Sequence, residues 1–180
     1  LSFFKNVIMP LPPIYVLVVD DEPELCTLSK EFLEIPGDID VDVAYSVKEA
    51  RQALGKKSYH VIVSDYQMPG EDGIQFLKSL RSQGNGTPFI LFTGKGREEI
   101  VIEALNNGAD AYLQKGGMPR PMYAELDHRI RAAAGKHRAE KEIARTLSIL
   151  ESIMESTADG ILVADGKGRI VFFNKIFNQM

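Results

Sequence analysis

The feature that most limits how this chain can fold is a set of short apolar runs, each ending close to a chemically able side chain. Ile14 to Val19 leads into Asp20-Asp21, Val61 to Ser64 into Asp65, Phe89 to Phe92 into Thr93, and Ala111 to Leu113 is soon followed by Lys115. Short runs of this kind, rich in β-branched residues, have the character of buried strands. Segments with helical spacing separate them, so from Ile14 to about Arg131 the chain alternates strand and helix five times. That alternation is the pattern of βαβ units feeding a parallel sheet. In such a sheet the C-terminal ends of the strands share one edge, which predicts that three carboxylates, a hydroxyl and an ammonium converge there. A pocket of that make-up suits a divalent cation and a phosphoryl group.

The helical segments carry apolar stripes that predict their core faces: Leu25, Leu28 and Phe32; Val47, Ala50 and Leu54; Ile74, Leu77 and Leu80; Ile100, Ala104 and Leu105; Met122, Leu126 and Ile130. Pro36-Gly37 ends the first helix, Ser46 caps the second, and Asn107-Gly108 ends the fourth. After Pro121 there is no further proline, and Gly135 is the only glycine before Gly160, so the fifth helix is expected to continue well past the domain. Ile143, Leu147, Leu150 and Met154 then form one seam of a coiled-coil pattern, whereas Arg129, Lys136 and Glu140 interrupt the same register upstream. Beyond Thr157 the pattern changes to two apolar runs around Asp165 to Gly168, a β-hairpin with no covering layer in the sequence. The expectation is a fragment that stops inside its next domain.

With 180 residues, the chain has room for one ordinary domain and an appendage. A net charge of −4 gives no general attraction to nucleic acid or to an anionic membrane. Six Lys or Arg between Arg129 and Arg145 read as a solvated helix face, with no recognition motif beside them. Cys26 is the single cysteine, which excludes an intramolecular disulfide and a CxxC redox pair, and a reducing cytoplasm is expected. It reads as a packed helix residue. Residues 1–13 are broken by Pro10, Pro12 and Pro13 and read as a leader without a secretory cleavage pattern, and no apolar stretch is long enough to span a bilayer as a helix.

The chemistry of the acidic pocket follows from its donors. Mg2+ takes oxygen ligands and commonly uses only one or two carboxylates, leaving places for water and phosphate oxygens; Asp20, Asp21 and Asp65 meet that demand. Asp65, between a buried-type strand and the loop Tyr66 to Gly73, is the natural nucleophile: a carboxylate can attack phosphorus to give an acyl phosphate once positive charge neutralises the incoming oxygens. Lys115 supplies such a charge and Thr93 a hydroxyl donor.

Taken together, Asp20-Asp21, the segment Asp65-x-x-Met68-Pro69-x-x-Asp72-Gly73, Thr93-Gly94, Tyr112 and Lys115 resemble the receiver domain of two-component response regulators, over residues 14–131. The resemblance implies a flavodoxin-like, doubly wound α/β fold with a five-stranded parallel sheet in the order 2-1-3-4-5. It also implies that Asp65 accepts a phosphoryl group from a histidine kinase or phosphotransfer protein. Asp21 and Asp65 would bind Mg2+, Asp20 would assist, and Gln67 would offer its backbone carbonyl. Lys115 would hold the phosphoryl oxygen while Thr93 and Tyr112 act as the switch, shifting the population of two packings that the fourth and fifth helices report. The domain would catalyse only its own phosphorylation and dephosphorylation. In one departure, Gly116-Gly117 follow the lysine where the family usually has proline, which makes that loop more flexible. Lys95 and Gln67 flank the site where family members differ in acyl-phosphate lifetime.

Residues 132–156 are read as a helical linker, and residues 157–180 resemble the start of a PAS sensor domain, through Ala158-Asp159-Gly160-Ile161, Asp165 to Gly168, Ile170 to Phe173 and Asn174. The oligomeric state is left open by the sequence; a homodimer through the linker or the fourth and fifth helix face is one assembly the pattern allows. Two rival readings remain: a receiver-like interaction module that works without phosphotransfer, and a Mg-dependent phosphohydrolase. The latter would want a carboxylate two residues after the nucleophile, where Gln67 stands. His128 and His137 lack the residues that follow a phosphoacceptor histidine and read as solvated helix positions.

Overall fold

A computed structural model describes residues 12–94, 98–157 and 159–177. Residues 1–11 of the expected leader, Lys95 and Ala158 lie outside the described residues. Five strands, β1 (Ile14–Val19), β2 (Ile39–Ala44), β3 (Val61–Ser64), β4 (Phe89–Thr93) and β5 (Ala111–Gln114), form a sheet in the order β2-β1-β3-β4-β5. All its pairings are parallel, with Val19 beside Ala44 on one flank and beside Ser64 on the other. The helices are α1 (Pro23–Glu34), α2 (Val47–Leu54), α3 (Gly73–Ser82), α4 (Glu98–Asn106) and α5 (Pro119–Ser156), and a two-stranded antiparallel hairpin, β6 (Leu162–Ala164) and β7 (Ile170–Phe173), follows.

The wholly apolar β1 is explained by burial on both sides. Val16 and Val18 pack with Leu33, Leu126 and Ile130 under α1 and α5, while Leu17 and Val19 pack with Ala50, Ile74 and Leu77 under α2 and α3. Successive side chains of a strand point to opposite faces, so a strand covered on both faces reads as a continuous apolar run.

Helix ends follow local chemistry. Ser46 accepts the Glu49 amide at the start of α2, and Asp72 forms a reciprocal capping box with Gln75 at the start of α3. Gly37 and Gly108, with φ of 81° and 89°, follow the ends of α1 and α4.

Two predicted stripes need correction. The buried line of α1 is Cys26, Ser29 and Leu33, one residue on from the expected Leu25, Leu28 and Phe32. The expected line followed residue size; in the fold Cys26 and Leu33 join the core, the Ser29 hydroxyl donates to Tyr123 Oη at 3.3 Å, and the partly buried Phe32 packs on the same core with its ring stacked on Tyr123. On α4 only Ala104 is buried, and Leu105, expected in the core, is 49% exposed. In α5 the buried line runs through Tyr123, Leu126, Ile130, Ala133 and Ala134, and Met122 is half-buried beside it.

The chain divides into two units after His137. In the second, the expected seam residues Ile143, Leu147 and Leu150 are exposed, as are Ile170, Val171 and Phe173 of the hairpin. Asn174 is the exception, fully buried, and holds this unit together. Its side-chain amide donates to the carbonyls of Met154 and Asp159, and its Oδ1 accepts the amides of Ile161 and Phe177. Among the described residues no helix is long and apolar enough to cross a membrane.

Candidate functional site

Parallel pairing brings the ends of β1, β3, β4 and β5 to one edge. Backbone bonds fix the first residue past β1, β3 and β5: the Asp20 amide donates to the Ala44 carbonyl, Asp65 to Val19, and Lys115 to Thr93, at 3.0, 2.8 and 2.8 Å. Residues far apart in the chain therefore meet with little freedom.

At their centre, the Lys115 ammonium lies 2.5 Å from Asp20 Oδ2 and 2.8 Å from Asp65 Oδ1. The remaining carboxylate oxygens are also engaged: the Glu22 amide donates to Asp20 Oδ1 and the Gln67 amide to Asp65 Oδ2. These bonds offset the cost of holding ionised groups in a mostly buried place. Burial raises the Asp20 pKa more than Lys115 and the Glu22 amide lower it. For Lys115, burial pulls the ammonium down, but Asp20 and Asp65 outweigh it and hold it above the ordinary lysine value. The ammonium also sits 5.7 Å from the centre of the Phe92 ring.

Of the expected site residues, Asp20, Asp65, Lys115 and the buried Thr93 are gathered at this edge. Asp21 lines an open depression beside it with Tyr66, Gln67, Met68, Pro69 and Asp72. Among the described residues no group of three His, Cys, Asp or Glu side chains is arranged to hold a metal ion. Asp20 is drawn to Lys115, whereas the Asp21 carboxylate makes no hydrogen bond or ion pair with any described residue. The Asp21 carboxylate, on the depression lined by Tyr66 and Gln67 just after Asp65, is a hard-oxygen donor whose chemistry fits Mg2+, which needs only one or two carboxylates. Tyr112, on β5, packs on the second face of the sheet. Its hydroxyl is buried without a hydrogen-bond partner among the described residues, and burial raises its pKa.

Sequence reasoning passed over the task of Gly73. A β-carbon at this first residue of α3 would collide with the Asp65 carbonyl oxygen and press on Leu91. Only glycine lets the helix start against the backbone that carries Asp65, and its place in the Asp72-Gly73 pair was the one available signal. Cys26, by contrast, is inert: fully buried, with its thiol pushed up to about 12 by burial and then by the charge of Asp20.

Comparison with known proteins agrees with this geometry. The family model of the response regulator receiver domain matches residues 16–127. The response regulator Rre1 of Synechocystis is 32% identical over 143 residues, covering 78% of this chain and 62% of that protein. The transcriptional regulatory protein TrcR of Mycobacterium tuberculosis is 33% identical over 150 residues, covering 82% of this chain and 58% of its own length. The chain thus spans about three-fifths of either relative. Among solved structures, the receiver domain of the Francisella response regulator 1452 superposes with a TM-score of 0.62 at 37% identity, covering 69% of this chain and 98% of that one. The chemotaxis response regulator CheY4 of Vibrio cholerae gives 0.59 at 28% identity, covering 66% and 98%.

Proposed function

The chain belongs to the response regulator receiver family, and on that premise we propose that it is a phosphorylation-driven switch in which Asp65 accepts a phosphoryl group from a histidine kinase or phosphotransfer protein. The observation that carries this reading is the Asp65 carboxylate at the end of β3, 2.8 Å from the Lys115 ammonium. A carboxylate oxygen of Asp65 attacks phosphorus as the phosphorus–nitrogen bond to the donor histidine breaks. The electron pair leaves with the imidazole, and an acyl phosphate remains. Lys115 then pairs with a phosphoryl oxygen, and Asp20 keeps the ammonium in place. Asp21 and Asp65, with Asp20 and the Gln67 carbonyl, would hold Mg2+, which would supply charge neutralisation for the approaching phosphoryl oxygens.

The new charge and acceptors draw the Thr93 hydroxyl toward the phosphoryl group and bias the packing of Tyr112, whose orphaned hydroxyl leaves its present position costly to keep. The surface of α4, β5 and α5 carries the change to a linker helix over residues 132–156, which pairs with a second copy. The hairpin unit serves as the opening of a PAS domain. The protein works in the cytoplasm, and no nucleic-acid partner is assigned to this stretch.

Intact mass after incubation with a small phosphodonor and Mg2+ tests the reading. One added phosphoryl group, dependent on Mg2+ and absent from Asp65→Asn, is expected; equal incorporation in the variant would overturn it. A second reading, an interaction module without phosphotransfer, draws on the Lys115 ion pairs that already neutralise Asp20 and Asp65. It predicts neither Mg2+ binding nor mass increase. The phosphohydrolase reading would require turnover of a phosphoester in excess over protein.

A further inference from the structure

We propose that Met122 is a positioning residue for Lys115: its thioether takes the place of a rigid residue after the lysine by fixing the backbone of a loop made of two glycines. The inference deepens the phosphoryl-switch reading and rests on it only for the role of Lys115.

Gly116 and Gly117 adopt φ of 154° and 78°, a region that side chains with a β-carbon rarely enter. Glycine permits this path but does not enforce it, because in a flexible chain such residues have the most conformational freedom to lose. Something else must hold the loop, and two hydrogen bonds flank the Lys115 α-carbon. On one side the Lys115 amide donates to the Thr93 carbonyl at 2.8 Å, extending the β4–β5 ladder. On the other, the Gly116 amide donates to Met122 Sδ at 3.2 Å. Met122 stands in the first turn of α5 and packs half-buried against the core under α1 and α5. The sulfur therefore ties the loop to the rigid body of the domain. With both flanking peptides fixed, the Lys115 side chain leaves the backbone in one direction, and its ammonium reaches Asp20 and Asp65 together.

The chemistry suits the place. A thioether is a weak acceptor on an unbranched, apolar side chain, so Met122 can fill core space and still accept an amide. Leucine fills nearly the same volume without an acceptor, and glutamine offers an amide oxygen at similar reach.

The test compares the protein with Met122→Leu and Met122→Gln. Hydrogen exchange of the Gly116 amide and the nuclear magnetic resonance signal of the Lys115 ammonium are followed, together with the rate of phosphorylation by a small phosphodonor at saturating Mg2+. In Met122→Leu the Gly116 amide is expected to exchange about twofold faster, the lower end for a hydrogen bond and in keeping with a weak acceptor. The Lys115 ammonium signal is expected to broaden, and phosphorylation to slow by a comparable factor. Met122→Gln restores all three. Unchanged Gly116 exchange in Met122→Leu, an unmoved Lys115 signal, or no recovery in Met122→Gln would overturn the proposal. Failure of the parent protein to take up phosphate would instead overturn the reading of the site and leave the amide and ammonium signals to decide the role of Met122.

Discussion

Lys115 holds two carboxylates that would otherwise repel each other in a place largely closed to water. Replacing it by methionine keeps much of the volume and removes the charge, so Lys115→Met is expected to lose about 3 kcal/mol, the lower end for stripping one partner from a buried pair. A urea titration at neutral pH measures this. The sign of its pH dependence also follows. Burial already raises the Asp20 pKa, and without the ammonium that opposes it the folded value lies further above the unfolded one, so the fold binds more protons than the unfolded chain and regains stability on acidification toward about pH 4. Gly73 is the second decisive residue. Gly73→Ala puts a methyl group against the Asp65 carbonyl, and overpacking of this kind costs about 1–3 kcal/mol. Because the displaced atoms belong to Asp65, phosphoryl uptake should fall much further in this variant than in Gly70→Ala, where a β-carbon meets nothing nearby and only the backbone at φ 86° is strained.

Among the elements, β2 is an exposed edge that the neighbouring helix seals. The Lys30 ammonium donates to the Val41 carbonyl at 2.6 Å and Glu34 accepts the Val41 amide at 2.9 Å, filling the groups that could pair with another strand. On the same strand, hydrogen bonds from Lys57 and Tyr59 hold Asp42 below the ordinary carboxylate value of 3.8. A depressed folded pKa gives stability that is present above 3.8 and lost as the pH falls through the folded value. Asp42→Asn should therefore destabilise at neutral pH and converge with the parent in acid, as thermal unfolding across pH would reveal. The hairpin depends on a different device. Asn174→Ala removes the acceptor of the Ile161 and Phe177 amides, whose exchange should rise about tenfold, while the amides of the sheet keep their protection.

For the molecule as a whole, the proposed pairing of linker helices turns on side chains that the chain leaves in solvent: Ile143, Leu147 and Leu150 are all at least half exposed. Leu147→Glu with Leu150→Glu should convert a sedimenting dimer to a monomer without altering the fold of residues 14–131; equal sedimentation of parent and variant would remove the seam from the assembly. The succession of strands and helices and the long fifth helix were legible in the sequence because strand period and helix period act on neighbouring residues, whereas the sheet order was implied only by the resemblance to the receiver family. The same logic placed Asp20, Asp65, Thr93 and Lys115 at one edge, since the end of a strand is defined by the run before it. Other features were not legible. Periodicity favoured Leu25, Leu28 and Phe32 for the core, yet the buried residues of α1 are Cys26, Ser29 and Leu33, with Phe32 partly buried against them. Two adjacent acids look alike in the sequence, but only Asp20 meets Lys115, while Asp21 stays beside the loop after β3. Local sterics and hydrophobic period dictate the kinds of element, their succession along the chain and the residues at their ends. Tertiary structure alone decided which acid is neutralised, why residue 73 must be glycine and what holds the Gly116 amide, because each depends on the separation of segments that only packing brings together.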